Sequence, residues 1–338
     1  MKKLRVMLLV HESLIPPEDA VAEDGGSGAM PYKTELDVRN ALHRLGHTVK
    51  VVGAHDDLAP IRQAIESWRP HIVFNLLEEF AGNTAFDYYV VSYLEMMNIP
   101  YTGCNPRGLL LARDKALSKI LLSHHRIKVP AFTVFPRHRA PRKKRNRAYP
   151  LIVKSLMEEG SVGIAQASVV NRDDQLHQRV AHIHAITHGD AIAEQYIEGR
   201  ELYVTVLGNA RLTVLPFREI VFDGPANGII PVATHKVKWD RGFRERWNVR
   251  YQFAEDLPET LHRRIVRTCK RAFRILDLNG YARFDLRLQG EDIYILEANP
   301  NPGIDENEDS TLSARRAGLD YDRFIQKLIN LGLGAAAR

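Results

Sequence analysis

The stretch that most constrains the fold of this chain is Tyr281–Gly303, with the sequence YARFDLRLQGEDIYILEANPNPG. It predicts two β-strands, Ala282–Leu288 and Asp292–Ala298, joined by a turn at Gly290. Apolar and polar residues alternate along the first strand, which predicts one apolar face and one polar face. A chain with this stretch is therefore expected to bury one side of a hairpin and to present charged residues on the other.

The length of the turn decides which acidic residues share a face. A three-residue loop centred on Gly290 would pair Asp285 with Ile295 and Arg283 with Glu297. That register places Arg283, Asp285, Glu297 and Asn299 on one face, and Phe284, Leu286, Tyr294 and Leu296 on the other. A two-residue loop would put Asp285 and Glu297 on opposite faces. A shared acidic face therefore depends on the three-residue loop.

The predicted polar face has the chemistry of a magnesium–phosphate site. Mg²⁺ prefers hard oxygen ligands, usually one or two carboxylates together with phosphate and water. Asp285, Glu297 and the amide oxygen of Asn299 would supply such ligands. Arg283 could stabilise negative charge on a transferred group. The alternative is a surface hairpin with solvated acids, and the remainder of the chain has to decide between the two.

Length and composition are typical of a globular protein in a reducing compartment. The 338 residues predict two or three domains, and the hydrophobic content of 45% and charged content of 26% are ordinary. Cys104 and Cys269 have no spacing that indicates a disulfide framework or a zinc site. The apolar run Val6–Val10 is too short for a signal peptide, and no stretch is long enough to span a membrane. We therefore expect a cytoplasmic protein.

The formal net charge of +6 suits either a nucleic acid or an anionic small substrate such as ATP. Much of this charge lies in a basic segment, Arg137–Arg147, which has no aromatic residues between its charges and which we interpret as a solvated loop. The sequence contains no zinc finger, basic zipper or RNA-binding aromatic signature. We therefore predict no nucleic-acid partner.

Residues 1–103 alternate between predicted strands and helices. Leu4–Val10 is a continuous apolar run of the kind found in buried parallel strands, and His47–Val52 and His71–Leu77 are the next predicted strands. Such alternation predicts a small, mostly parallel sheet covered by helices. Ligands bind beyond the carboxyl ends of the strands in sheets of this type. The residues expected to border the crevice are His11, Glu12, Glu78 and Glu79.

Two further segments have features of a polyanion site. The strand Tyr149–Lys154 ends in a lysine and precedes a glycine-bearing turn, residues 158–163, whose N–H groups could hold phosphate oxygens. An ordinary hairpin is the alternative, because the lysine precedes the glycines and no Walker sequence occurs. The irregular, basic segment Phe222–Asn248, which includes Lys236, could cover a bound polyanion.

Taken in order, these segments resemble the ATP-grasp ligases, and among them the D-alanine–D-alanine ligase-like branch. The similarity covers most of the chain from Ile99 to Leu331, and its strings are IPYTGCNPRGLLLARDKALSK, PLIVKSLMEEGSVGIA, AIAEQYIEGRELYV, ARFD and LEANPNPG. The resemblance implies an α/β ATP-grasp fold in which an N-terminal parallel α/β domain precedes two α+β subdomains that sandwich the nucleotide. The implied ranges are 1–103 for the N-terminal domain, 104–198 for a central lid subdomain and 199–338 for a C-terminal metal and catalytic subdomain.

The resemblance also implies roles for individual residues. Those implied in catalysis are Arg283, Gly303 and Ser161. Those implied in binding ATP are Lys115, Lys154, Ser161 and Gly163 at the phosphates, with Glu194, Gln195, Ile197 and Glu201 at adenine and ribose. Those implied in binding Mg²⁺, with Mn²⁺ as an alternative, are Asp285, Glu297 and Asn299.

The family chemistry requires no nucleophilic side chain. A substrate carboxylate attacks the γ-phosphate of ATP, and an amine then displaces phosphate from the acyl phosphate to give an amide. Positioning and charge stabilisation account for most of such catalysis, and closed lids keep water away from the intermediate. The implied partners are a small-molecule carboxylate and an amine. The sequence leaves a homodimer open and predicts no membrane partner.

The chain departs from the family pattern where the family holds its amino-acid substrates. The glycine-rich stretch after the first strand is replaced by HESLIPPEDA, a histidine–glycine pair by Glu78 and Glu79, and an H-S-L-type segment by the acidic residues 305–311. Ionised acids beside a pocket favour a cationic group and repel a free carboxylate. We expect substrate contacts from Glu12, Glu78, Glu79 and Lys236. The alternative is that Glu78 and Glu79 are solvated or paired with arginines of the loops.

We therefore expect an ATP-dependent carboxylate–amine ligase for which D-alanine is a poor substrate. The alternatives are a genuine D-alanine–D-alanine ligase, a kinase that uses the same nucleotide site, and a nucleotide-binding regulatory protein.

Overall fold

The computed structural model of the chain describes residues 2–20, 30–139, 148–158, 163–223, 230–234, 236–237 and 240–336. Ser161 and most of the basic segment therefore lie outside the described residues. Within these ranges no helix combines the length and apolarity needed to cross a bilayer.

The N-terminal part forms the small parallel sheet that the apolar runs predict. Its strands are ordered β2-β1-β3, and both pairings are parallel. The central strand is buried because helices cover both of its faces. The elements are β1 (Arg5–His11), α1 (Lys33–Arg44), β2 (Thr48–Ala54), α2 (Ala59–Trp68), β3 (Ile72–Asn75) and α3 (Asp87–Met96). Short 3-10 helices at Glu12–Leu14 and Thr84–Phe86 follow the ends of β1 and β3.

The middle part is an antiparallel four-stranded sheet, ordered β4-β7-β5-β6 and covered by one long helix. Two helices that lead into it meet at Asp114, whose carboxylate caps the second helix by accepting bonds from the Ala116 and Leu117 N–H groups. The elements are α4 (Pro106–Arg113), α5 (Lys115–His124), β4 (Phe132–Phe135), β5 (Leu151–Ser155), β6 (Val169–Val170), α6 (Asp173–Thr187) and β7 (Ala191–Gln195).

The C-terminal part holds the largest sheet, ordered β11-β10-β8-β12-β13 with β9 beside β8. Helix α8 (Glu259–Ile275) buries its apolar stripe, including Ile265, Cys269 and Phe273, against the apolar face of strand β12 (Tyr281–Gln289). The strands are β8 (Arg200–Gly208), β9 (Leu212–Val214), β10 (Arg218–Phe222), β11 (Val249–Phe253), β12 (Tyr281–Gln289) and β13 (Asp292–Pro300). The helices are α7 (Arg241–Arg246), α8 (Glu259–Ile275), α9 (Asp309–Arg316) and α10 (Tyr321–Ala336).

Each of the three predicted ranges contains one of the three sheets. The last helix nevertheless returns to the first sheet, because Phe324 and Leu328 of α10 belong to the same buried cluster as Leu8 and Ile72. The domain boundaries therefore remain a prediction.

The turn between β12 and β13 is shorter than predicted. Gln289 pairs with Asp292, so only two residues close the hairpin. Gly290 has φ +59°, a left-handed conformation that glycine adopts without a steric penalty and that tight hairpin turns require. The prediction of a three-residue loop was wrong. Continued without interruption, the observed register would separate Asp285 from Glu297.

A β-bulge at Leu296 brings the acids back to one face. The register shifts after Asp285, so that Asp285 lies opposite Glu297 and Arg283 lies opposite Asn299. The four polar residues therefore share a face as predicted, although for a different reason. The predicted apolar face was partly wrong: the two-residue turn pairs Leu286 with Ile295, so the hairpin residues in the core are Phe284, Leu286, Ile293 and Ile295 rather than Tyr294 and Leu296.

Candidate nucleotide and substrate site

Two adjoining cavities bring together most of the residues predicted for the site. The larger, of about 880 Å³, is bordered by the ends of β1 and β3, the start of α1 and the loop after β13. The predicted residues that line it are Glu78, Glu79, Lys115, Lys154, Arg283, Glu297, Asn299 and Gly303. The smaller lies between the middle and C-terminal sheets, and its predicted lining residues are Lys154, Glu194, Gln195, Ile197, Glu201, Asp285 and Glu297. Lys154 and Glu297 line both, so the two cavities meet at the proposed phosphate position.

The polar face of the hairpin is arranged as opposed charges. Arg283 Nε donates to Asp285 Oδ1 at 2.8 Å, and Lys115 Nζ lies 3.4 Å from Glu297 Oε1. Asn299 is buried, and among the described residues its Nδ2 has no hydrogen-bond partner. Asp285 and Glu297 therefore already lie beside cations. A bound metal–phosphate group would take the place of Arg283 and Lys115 as the partner of these two acids.

These donors suit a magnesium–nucleotide complex better than a metal held by protein alone. In the described part of the chain no three His, Cys, Asp or Glu side chains converge on one point. Mg²⁺ bound with a nucleotide requires only one or two carboxylates, because phosphate oxygens and water complete its octahedron. Asp285 and Glu297 meet that requirement from adjacent strands, and Asn299 adds an amide oxygen.

A buried charge network joins the phosphate lysine to the proposed adenine acid. Glu194 Oε2 lies 3.1 Å from Lys154 Nζ, and Glu194 Oε1 lies 2.9 Å from Lys119 Nζ. Burial alone would raise the pKa of Glu194, but the two ammonium groups overcome it and lower that pKa. Glu194 is therefore ionised between two lysines, and a nucleotide at this place would meet a pre-arranged set of charges.

Sequence reasoning missed Lys119. Its side chain is almost completely buried, and its Nζ donates to the carbonyl oxygen of Leu296, the bulge residue, at 2.5 Å. Lys119 therefore contacts both the acid of the nucleotide pocket and the irregularity that aligns the metal face. Its position four residues after Lys115 on α5 was an available signal, since residues at this spacing lie on one face of a helix.

The proposed ribose acid also has a partner that the prediction lacked. Arg287 Nη2 donates to Glu201 Oε2 at 2.6 Å, and the hydroxyl of Tyr203 donates to Glu201 Oε1 at 3.0 Å. Arg287 continues the Arg283–Asp285 alternation along β12, so the sequence predicted that its side chain lies on the polar face of that strand. The sequence did not predict its ion pair with Glu201 on β8.

Three predicted residues do not line either cavity. Glu12 is exposed on the 3-10 helix after β1, whereas its neighbours His11 and Ser13 line the larger cavity. Lys236 is exposed because Val237, rather than Lys236, turns into the core. Gly163 packs on α6, where an added Cβ would lie 2.7 Å from Ile186 Cδ1. The structure does not support direct substrate contacts for Glu12 and Lys236.

Glu78 and Glu79 lie at the carboxyl end of β3 as predicted, and both line the larger cavity. Glu79 Oε1 is 3.5 Å from His11 Nε2, and the same ring nitrogen is 2.9 Å from His55 Nδ1. The Glu79 carboxylate therefore lies beside the His11–His55 pair at the edge of the larger cavity.

Two further carboxyl groups line the larger cavity: Glu35, which sequence reasoning missed, and Glu308, which belongs to the acidic segment 305–311 that the sequence had singled out. Burial raises the pKa of Glu35, in the first turn of α1, to about 7. Burial, reinforced by Asp305 and Asp309, raises the pKa of Glu308 as well. No local motif marks Glu35, because an acid in the first turn of a helix is common for reasons of the helix dipole alone.

Comparison with known proteins identifies the family. A family model described as the D-ala D-ala ligase C-terminus matches residues 121–330. The chain is 31% identical over 269 residues to the uncharacterized protein y4sG of Sinorhizobium fredii, covering 77% of this chain and 74% of that protein. It is 27% identical over 313 residues to a D-alanine–D-alanine ligase of Desulforudis audaxviator, covering 90% and 96%.

The fold comparison agrees with these sequence matches. A crystal structure of D-alanine–D-alanine ligase from Bacillus anthracis complexed with ATP superposes with a TM-score of 0.73 at 18% identity, over 99% of each chain. At this identity the likeness shows the fold, which is that of the ATP-grasp enzymes. Together with the match over residues 121–330, it shows that this chain belongs to the D-alanine–D-alanine ligase-like family of ATP-grasp enzymes and is an ATP-dependent carbon–nitrogen ligase.

Proposed function

We propose that this chain joins a small carboxylic acid to an amine through an acyl phosphate, with a substrate pair other than two D-alanines. The observation that carries the proposal is the shared face of Arg283, Asp285, Glu297 and Asn299, opposite Lys115 and beside a cavity large enough for two small substrates. The residues proposed to bind the nucleotide lie on one side of this face, and the residues proposed to bind the substrates lie on the other.

Each group on the face has a proposed task. Lys115 and Lys154 hold ATP phosphates as point charges, and Glu194 and Glu201 hold the nucleoside end with the backbone at Gln195 and Ile197. Asp285, Glu297 and Asn299 would hold Mg²⁺, which neutralises phosphate charge when bound.

The oxyanion side of the reaction falls to Arg283 and Gly303. Arg283 would stabilise charge on the transferred phosphoryl group, and the Gly303 backbone would receive the developing oxyanion. An added Cβ at Gly303 would lie 3.3 Å from Glu308 Cγ, so glycine leaves room for this close approach.

The amide is formed in two balanced steps. The substrate carboxylate takes the γ-phosphoryl group and ADP leaves. The neutral amine then attacks the acyl carbon, the bond from that carbon to the phosphate oxygen breaks, inorganic phosphate leaves, and the amine gives up a proton. No side chain becomes covalently modified, in agreement with a face made only of charged and amide groups.

Acidic residues at the substrate end support a pair other than two D-alanines. Glu78, Glu79 and Glu308 line the larger cavity, beside the polar face of the hairpin, where a free α-carboxylate would meet them. Like charges there would weaken its binding. A genuine D-alanine–D-alanine ligase remains the second candidate, because several relatives, including that of Desulforudis audaxviator, bear this name.

The test is an ADP-release screen with Mg-ATP over paired acids and amines, with amide formation followed by mass spectrometry. We expect ADP release that requires both an acid and an amine, and its loss in Asp285→Ala and Glu297→Ala, with the fold retained by circular dichroism. Acid-dependent ADP release without any need for an amine would indicate a kinase. Near-normal turnover of Glu297→Ala at low Mg²⁺ would refute the metal assignment, and robust D-alanyl-D-alanine synthesis would refute the substrate assignment.

A further inference from the structure

One carboxyl group in the larger cavity has no counterion among the described residues. Glu35 is only 5% exposed, yet it lines the 880 Å³ cavity. Within the described residues its carboxyl group bonds only to its own backbone N–H. A buried carboxylate without a cation is costly, and a cationic ligand in the cavity would supply the missing charge.

A second carboxyl group lines the same cavity from another segment. Glu308 precedes α9 and packs against Gly303, which places it next to the proposed reaction centre. The charged groups that act on it are Asp305, Asp309 and Arg283, two acids and one cation. Glu35 belongs to the first helix and Glu308 to the loop after the catalytic hairpin, so the two acids border the cavity from different elements.

Three of the cations that line the cavity are each paired with another acid. Lys33 Nζ lies 2.5 Å from Asp37 Oδ2, Arg218 Nε lies 3.0 Å from Asp309 Oδ1, and Arg283 is bonded to Asp285. None of these three cations pairs with Glu35 or Glu308 in the described structure. Among the described residues the cavity is lined by eight Asp and Glu side chains and by six Lys and Arg side chains, Arg244 included. This surplus of negative charge suits a positively charged ligand and not a second free carboxylate.

We propose that the amine substrate is an aliphatic diamine or polyamine, whose distal ammonium group is bound by Glu35 while Glu308 receives the amine next to the reaction centre. This inference rests on the proposed ligase function. It also explains how an amine that is mostly protonated in water becomes a nucleophile. The distal nitrogen stays protonated and anchors the molecule, whereas the reacting nitrogen passes one proton to the Glu308 carboxylate before it attacks the acyl phosphate. One C–N bond then forms, the bond from the acyl carbon to the phosphate oxygen breaks, inorganic phosphate leaves, and the new amide nitrogen releases its remaining extra proton.

Binding can be tested separately from turnover. Spermidine, putrescine and the monoamine butylamine would be titrated calorimetrically into the enzyme saturated with Mg²⁺ and a nonhydrolysable ATP analogue, at physiological salt. We expect spermidine and putrescine to bind and butylamine to bind at least tenfold more weakly, because it lacks the second charge. We expect Glu35→Gln to lose about tenfold in spermidine affinity with unchanged affinity for the analogue.

The controls separate a specific site from general attraction to acids. Glu66→Gln makes the same chemical change at an exposed position of α2 outside the cavity, and it should bind spermidine as the wild type does. Glu308→Gln provides a second variant at the cavity itself, should Glu35→Gln fold poorly. Equal loss in Glu66→Gln, unchanged affinity in both cavity variants, or no spermidine binding to the wild type would overturn the proposal.

Turnover distinguishes failure of this inference from failure of the proposed function. ADP release with an acid and a monoamine or amino acid, but not with diamines, would overturn the polyamine assignment and leave the ligase intact. Loss of nucleotide binding or of all amine-dependent ADP release would instead count against the proposed function. Release of ADP with diamines, reduced in Glu35→Gln through the KM for the amine more than through kcat, is the expected result.

Discussion

Replacing Glu35 by glutamine should stabilise the ligand-free protein at neutral and alkaline pH and not at acid pH. Glutamine keeps the shape of the side chain and removes its ionisation. In the native state the pKa of Glu35 is raised from its usual 4.5 to about 7, with burial as the main cause. The native protein therefore binds more protons than the unfolded chain between these two values, and the contribution of Glu35 to stability falls as pH rises through that window.

The magnitude follows from the same two values. A pKa difference of one unit corresponds to about 1.36 kcal/mol, so the difference of about 2.5 units gives an upper limit of about 3 kcal/mol. The wild type should have this contribution in full below pH about 4.5 and lack it above pH about 7. Glu35→Gln should therefore be nearly isoenergetic with the wild type near the lower value and about 2–3 kcal/mol more stable above the upper one.

Urea unfolding of wild type, Glu35→Gln and Glu66→Gln across this pH range is the appropriate assay. The other titratable and charged groups that line the cavity are present in all three proteins, so their titration cancels to first order in the difference. Among the described residues they include His11, Lys33, Glu78, Glu79, Lys115, Lys154, Glu158, Arg218, Arg244, Arg283, Glu297, Asp305, Glu308 and Asp309. Spermidine should remove the advantage of Glu35→Gln, because a cation stabilises the ionised wild-type carboxylate. A stability difference independent of pH, or a Glu35→Gln protein less stable than wild type at alkaline pH, would refute the reasoning.

Three further predictions concern the charges around the nucleotide and the crevice. Lys154→Met should weaken a nonhydrolysable ATP analogue by about tenfold or more, the value of one charge-assisted contact, and unchanged affinity by calorimetry would mean that the lysine is only structural. Lys119→Met should lower the free energy of unfolding, measured in urea, by about 2–3 kcal/mol, because it leaves the Leu296 carbonyl unsatisfied. The same variant should raise the Mg²⁺ concentration needed for ADP release, whereas Lys50→Met, at an exposed position, should change neither quantity. Glu78→Gln should weaken the preferred cationic substrate in a steady-state KM measurement, and indifference to this change would remove Glu78 from the substrate contacts.

Local sequence was sufficient for the elements whose burial is uniform. The continuous apolar run of β1 predicts a strand covered on both sides, and that strand is the centre of the parallel sheet. The stripe of α8 predicts one buried face, and Ile265, Cys269 and Phe273 form it. These features depend on side-chain period alone, which the chain carries wherever it is placed.

The candidate site also has one part that the local sequence predicted and one part that it did not. The sequence by itself determined which chemical groups the hairpin would present, since Arg283, Asp285, Glu297 and Asn299 are spaced for one face of two strands. It did not determine that they would meet. The observed two-residue turn alone would have separated the acids, and the bulge that reunites them is bonded to a lysine 177 residues away from Leu296 in the chain.

Only the tertiary structure decided the charge balance of the cavity. Glu35 resembles any acid in the first turn of a helix until the loop after β13 and the ends of β1 and β3 enclose it. Burial is a property of all the surrounding segments together, and the pKa of a carboxyl group responds to that burial and to the counterions within a few ångströms. No local pattern encodes those distances, which is why the sequence pointed to the proposed phosphate lysines and to the acidic segment that contains Glu308 but not to Glu35.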